Sequence, residues 1–145
     1  MIRFISLLVI LSITVSCSTL KEDRQLKEIY LHEFKITYFK TLLRKAFNND
    51  KGYLEAVKID RSNYGEIILV AGELRLIDSL TTIDNQFMVT DSIDGIGRKA
   101  EGTEGKVVFN YALNKYNSKW LDSISKIHFK KYWKSEINFR KSLRK

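Results

Sequence analysis

The chain contains no proline, and among its 145 residues there is one cysteine, Cys17. The lack of proline favours long uninterrupted helices over a sandwich of short strands and turns. A lone thiol excludes an intramolecular disulfide, so the fold must be held by packing. Chemistry-bearing motifs are equally scarce. There is no HExxH, no GxSxG and no cysteine pair, so the sequence offers no support for metal or acyl-transfer chemistry. The two histidines, His32 and His128, fall on stretches rich in charge and read as helix-surface residues. No cofactor and no metal are expected. Repeats and low-complexity tracts are absent too.

What is present begins with "MIRFISLLVILSITVSCS". Arg3 supplies a positive start, and Phe4 to Val15 is a twelve-residue run without charge. That is the length of a signal-peptide h-region, well short of the roughly 20 apolar residues a spanning helix needs. With the small Ser16 before Cys17, the segment resembles a bacterial lipobox, although Thr14 stands where Leu is usual. The resemblance implies a signal peptide over 1–16 and lipid attachment at Cys17. The protein would then sit in the cell envelope, facing the periplasm from the outer membrane because Ser18 replaces the Asp of inner-membrane retention. Lys21-Glu22-Asp23 is also similar to a surface-display tag, or is simply a solvated helix start.

Residues 17–145 are the size of one domain. From Lys21 to Phe47, Leu31, Phe34, Tyr38, Leu42 and Ala46 recur at spacings of three and four, which predicts an amphipathic helix. "NNDKG" at 48–52 breaks it, and a short helix follows from Tyr53 to about Ile59. "DRSNYGE" reads as a turn, with Ser62 or Asn63 capping a third helix over Glu66 to about Met88. The stripe expected there is Ile68, Gly72, Leu76, Leu80 and Ile83, with Gly72 a weak point or a place of close approach. After the irregular stretch 91–106, "VVFNYALNKY" predicts a fourth helix. Lys119 to about Tyr132 predicts a fifth, burying Trp120, Leu121, Ile124 and Ile127. The expected fold class is all-α, a four- to five-helix bundle-like single domain.

Two readings of the glycine-rich stretch fail, one on spacing and one on residue type. "GIGRKAEG" lacks the third glycine of a nucleotide fingerprint. Thr90 to Glu101 places Asp94, Gly95 and Glu101 suitably for a calcium loop but has Thr at the first ligand position. Charge is concentrated elsewhere. From Lys126 onward eight Lys or Arg face one acid, Glu136, whereas Cys17 to Ser125 holds sixteen of each sign. Behind an export leader, a basic tail interleaved with aromatics suits anionic lipid or an acidic partner better than nucleic acid, or it is a solvated helix end.

With the segments placed, "EFKITYFKTLLRKAF", "DRSNYGEIILVAGELRLIDSL" and "EGKVVFNYALNKYNSKWLDSISKIHFKKY" resemble, in order and spacing, the type VI secretion amidase immunity proteins. The motif residues are Asn63 and Tyr64 in the turn, and Tyr116, Ser118, Lys119, Leu121 and Asp122 at the corner between the last two helices. Ser118 also has a local explanation as an N-cap with Asp122 in the first turn. The resemblance implies a helical, commonly dimeric periplasmic protein whose protruding loop blocks the Cys-His pair of a peptidoglycan amidase. The matching loop is 94–105, with Gly95, Gly97, Arg98, Lys99, Glu101, Gly102, Glu104 and Gly105; a plain connector is the competing reading. The family's paired cysteines align with Leu42 and Ala112, both apolar here. The chain is therefore expected to bind and inhibit a cognate amidase and not to be an enzyme. The alternative is a structural envelope lipoprotein using its basic tail, and a small hydrolase has no support beyond the export signal.

Overall fold

The computed structural model describes the backbone at 2–62, 68–94 and 106–142, and the side chains at 24–62, 68–90 and 106–135. Over the described residues the chain is all-α, as the sequence predicts. It comprises α1 (Ile2–Ala46), α2 (Lys51–Ile59), α3 (Ala71–Asp94), α4 (Val108–Tyr116) and α5 (Lys119–Ser142). The two "NY" residues Asn63 and Tyr64, and Gly95 through Gly105 of the loop, lie outside the described residues. So does the side chain of Cys17, although its backbone belongs to α1, which runs unbroken from Ile2.

No glycine or proline interrupts α1. It ends because Asn48 and Asn49 take positive φ (53° and 57°), a conformation asparagine tolerates better than most residues. Asn49 N–H donates to Arg44 O (2.9 Å) and Asn48 N–H to Lys45 O (3.0 Å), the pairing of a Schellman motif. Asp50 then caps α2 by accepting from Tyr53 N–H.

All four other helices pack on α1. Its buried residues Tyr30, Phe34, Tyr38, Leu42 and Ala46 step by four. Each step advances about 40° around the axis, so the apolar stripe winds through about 160° and meets different partners along its length. At the Tyr30 end the partners are Phe129 and Tyr132 of α5; at the far end Phe47 meets Phe109 of α4. Contacts fix the directions. α2 returns along α1, tied by Tyr53 Oη to Lys40 O (2.8 Å), Lys40 to Asp60 (2.6 Å) and His32 Nε2 to Ser62 O (2.8 Å). α3 then runs alongside α1 in the same sense, and α4 and α5 run back antiparallel, with Tyr116 beside Phe39, Asp122 on Lys35 and Phe129 against Tyr30.

Three local expectations are corrected. α3 begins at Ala71, not Glu66, so Ser62 does not cap it; the Ser62 hydroxyl instead donates to Asp60 Oδ1. Gly72 is no site of close approach, because a Cβ there would meet nothing within 4 Å. The buried faces of α3 and α5 are also turned from the purely apolar stripes. On α3 the core residues are Glu73, Ile77, Thr81, Asp84 and Met88, while Ile83 is 61% exposed. On α5 they are Leu121, Ser125 and Phe129, with Trp120 and Ile127 at the surface. The physical reason is satisfaction of polar groups within the helix or across it. Thr81 Oγ1 donates to Ile77 O and Ser125 Oγ to Asp122 O, so both hydroxyls enter the core with a partner and with little bulk.

Candidate functional site

Asp84 is buried on α3 and accepts from three donors on two other helices. Tyr38 Oη, from α1, donates to its Oδ2. Tyr111 Oη and Lys115 Nζ, from α4, each donate to Oδ1 at 2.9 Å. Lys115 Nζ also sits 4.5 Å above the Trp120 ring at the start of α5. One carboxylate thus clamps α1, α3 and α4 together, and its lysine extends the clamp to α5. Such a network is stabilising only when every member is paired, as all four are here.

The site shifts its phenols. Burial first, then the hydrogen bond and charge of Asp84, push the Tyr38 and Tyr111 hydroxyls well above the ordinary phenol value. Burial, then the nearby Glu73 carboxylate, does the same to Tyr30. Glu73 is close enough to act on Tyr30, yet no well-formed bond joins them, and Tyr30 Oη and Glu73 Oε2 are both left unpaired. A phenol whose pKa is raised on folding contributes stability that is fully present below about pH 10 and is lost as pH climbs towards the raised value. Near-ultraviolet phenolate absorbance should therefore show these three tyrosines ionising only together with loss of helical circular dichroism. Ionisation of all seven tyrosines in a still helical chain would contradict the burial described.

The same end of the molecule holds both stems of the 94–105 segment. Lys106 Nζ donates to Ala46 O and to Asn85 Oδ1, each at 3.3 Å, pinning the downstream stem to the C-terminus of α1 and to α3. That placement matches the partial negative charge at a helix C-terminus. Among the described side chains of α3 the last buried one is Met88, and the helix backbone continues about 9 Å further to Asp94. Around these stems Ile83, Phe87, Val107 and Phe109 are all more than half exposed. Of this apolar collar, Phe87 lies against Tyr111 of the clamp and Phe109 against Phe47.

The remaining motif residues build the α4–α5 corner. Tyr116 packs edge-on to Phe39, with Lys35 Nζ 4.9 Å from its ring centroid. Ser118 Oγ accepts from Leu121 N–H (3.1 Å), so the expected N-cap is present. Leu121 is fully buried, Lys119 is exposed, and Asp122 pairs with Lys35 (3.0 Å) and Lys126 (2.9 Å). These two lysines hold the Asp122 carboxyl below its ordinary range. Leu42 and Ala112 are both fully buried in one cluster on packed helices. The histidines are half-buried: His32 bonds Ser62 O, and His128 stacks on Phe34. An open groove of about 270 Å³ runs between α1 and α2 over Phe39, Leu43 and Tyr53. Among the described residues, no group of three or more His, Cys, Asp or Glu is placed to hold a metal, and no helix is long and apolar enough to cross a membrane.

The sequence pattern did not single out Asp84, Glu73, Tyr111 or Lys115. A signal existed: 73, 77, 81, 84 and 88 are helically spaced once polar residues are admitted to the face. Comparisons with protein-family models, with curated proteins and with solved structures found no match.

Proposed function

We propose that this chain is an envelope lipoprotein, attached through Cys17, that binds and inhibits a secreted peptidoglycan amidase with its 94–105 segment. What chiefly supports this reading is the stem arrangement. A segment that must enter a groove on another protein needs a firm base and a surface that gains by being covered. Lys106 and the Asp84 clamp supply the base, and Ile83, Phe87, Val107 and Phe109 supply apolar surface around it. The glycines of the segment suit close backbone approach to a partner. Leu42 and Ala112, where the resemblance departs from the family by lacking its paired cysteines, are both buried on packed helices, so packing takes the place of a bridge there.

The test is protection. A bacterium made to export a cognate type VI peptidoglycan amidase should be rescued from lysis by the full chain. A variant lacking residues 98–102 should give no rescue while keeping its helical circular dichroism. Lysis undiminished by the intact chain would overturn the proposal.

A further inference from the structure

The collar and the 94–105 stems occupy one pole of the molecule; the other pole has a different character. α5 runs antiparallel to α1, with Phe129 and Tyr132 against Tyr30 and His128 against Phe34. The C-terminal half of α5 and the N-terminal half of α1 therefore leave the core at the same pole. From Tyr132 the α5 backbone continues about 15 Å to Ser142, and from Tyr30 the α1 backbone runs about 20 Å back to Cys17.

The exposed face of that half-helix carries one sign of charge. Lys126, Lys130 and Lys134 step by four along one stripe and are all exposed, as is Lys131. Only Lys126 is in a described ion pair, with Asp122. Lys141 falls on the same stripe by register, and Glu136, the one acid beyond Lys126, falls at the register of the packed face, four residues after Tyr132. Like charges four apart weaken an isolated helix, so helix stability alone does not account for this run. Ile127, 53% exposed, lies beside it.

We infer that the basic face of α5 rests on anionic lipid headgroups beside the point where the N-terminus meets the membrane. The α5 face then acts as a second attachment that stands the domain upright with the 94–105 pole outward. The occupant follows from charge and position: a uniformly cationic face at the pole where the chain enters the bilayer meets a lipid surface before any other polyanion. A lipid at Cys17 holds the chain to the bilayer without fixing how the domain stands on it, and a polybasic face against anionic headgroups supplies that orientation. Each basic side chain at an anionic surface raises partitioning about fivefold. This inference rests on membrane attachment at the N-terminus, and the experiment separates the two.

The full chain carrying Cys17→Ser and a single fluorophore at Ser135→Cys is incorporated through its apolar N-terminal run into vesicles. These are of neutral phosphatidylcholine or contain roughly a third phosphatidylglycerol, and each includes a headgroup-nitroxide quencher. Flotation with neutral vesicles reports the N-terminal attachment alone. Quenching at Ser135→Cys reports α5, and is expected to be at least threefold greater in anionic than in neutral vesicles and to fall to the neutral level at about 0.5 M salt. Lys130→Glu, Lys131→Glu and Lys134→Glu together should abolish the difference while leaving flotation and helical circular dichroism intact. A Cys17→Ser, Lys130→Gln, Lys131→Gln, Lys134→Gln variant, removing charge without reversing it, should lower partitioning to anionic vesicles about a hundredfold. Equal quenching in both vesicles, or capture by purified peptidoglycan without any response to anionic lipid, overturns the inference. Loss of flotation from neutral vesicles with quenching retained in anionic ones shows that the apolar run does not hold the chain without the Cys17 lipid, and supports the α5 contact by itself.

Discussion

Asp84→Ala is expected to lower the unfolding free energy by about 3–5 kcal/mol, the cost of removing one partner from a buried ion pair. The loss is large because three donors converge on this carboxylate. Tyr38 is fully buried and has no water to turn to, and Lys115 would keep its charge against Trp120 and Tyr111 without a counterion. Asp84→Asn retains shape and one acceptor and should cost about 1–3 kcal/mol, with Tyr38→Phe costing about 1–2 kcal/mol. Urea denaturation of these variants gives the comparison. The Tyr38→Phe, Asp84→Ala double variant should lose less than the two single losses added, by at least about 0.5 kcal/mol, since both remove the same bond. A loss below about 1 kcal/mol for Asp84→Ala would mean that the network is not what holds α3 and α4 on α1. Because those helices carry the 94–105 stems, the proposed function predicts that Asp84→Asn also weakens rescue in the lysis assay.

The second large effect comes from introducing a pair of cysteines at the buried positions 42 and 112, where the resembling family carries them. In the Leu42→Cys, Ala112→Cys variant, oxidation should make the chain about 4 kcal/mol more stable than its own reduced form, because the bridge closes a loop of about 70 residues in the unfolded chain. The reduced form should be about 2–4 kcal/mol less stable than the parent, since Leu42 is fully buried and its truncation leaves a void. Bridging requires Cα atoms within about 7 Å. The unaltered chain, with Cys17 alone, should unfold identically with and without reductant. Gel mobility under non-reducing conditions and urea midpoints in both redox states provide the readings. If no bridge forms, the register of α1 against α4 differs from the one the resemblance implies for Leu42 and Ala112.

Much of the architecture was legible because local rules act within one helix. The Asn48–Asn49 break, the Ser118 cap and the α1 stripe need only the chain near them. The site was less legible. Asp84 looks like an exposed helix carboxylate until Tyr38, 46 residues earlier, and Lys115, 31 later, are brought to it. Trp120 and Ile127 read as core by hydropathy, but the small Ser125 brings that side of α5 onto α1 and turns both outward. Hydropathy orders residues by transfer from water one at a time, and it has no term for a polar group whose partner lies elsewhere.

By itself the sequence determined that this is an all-α chain with no disulfide available to it, where its first helix stops, and that its excess charge lies after Lys126. Only the tertiary structure decided which face of each helix is inside, that four polar side chains lock α1, α3 and α4, and that the basic half of α5 shares a pole with the N-terminus. The division follows from range. Caps, breaks and composition are set over a few residues, whereas burial of a charged group is set by whichever distant donors arrive to pair it.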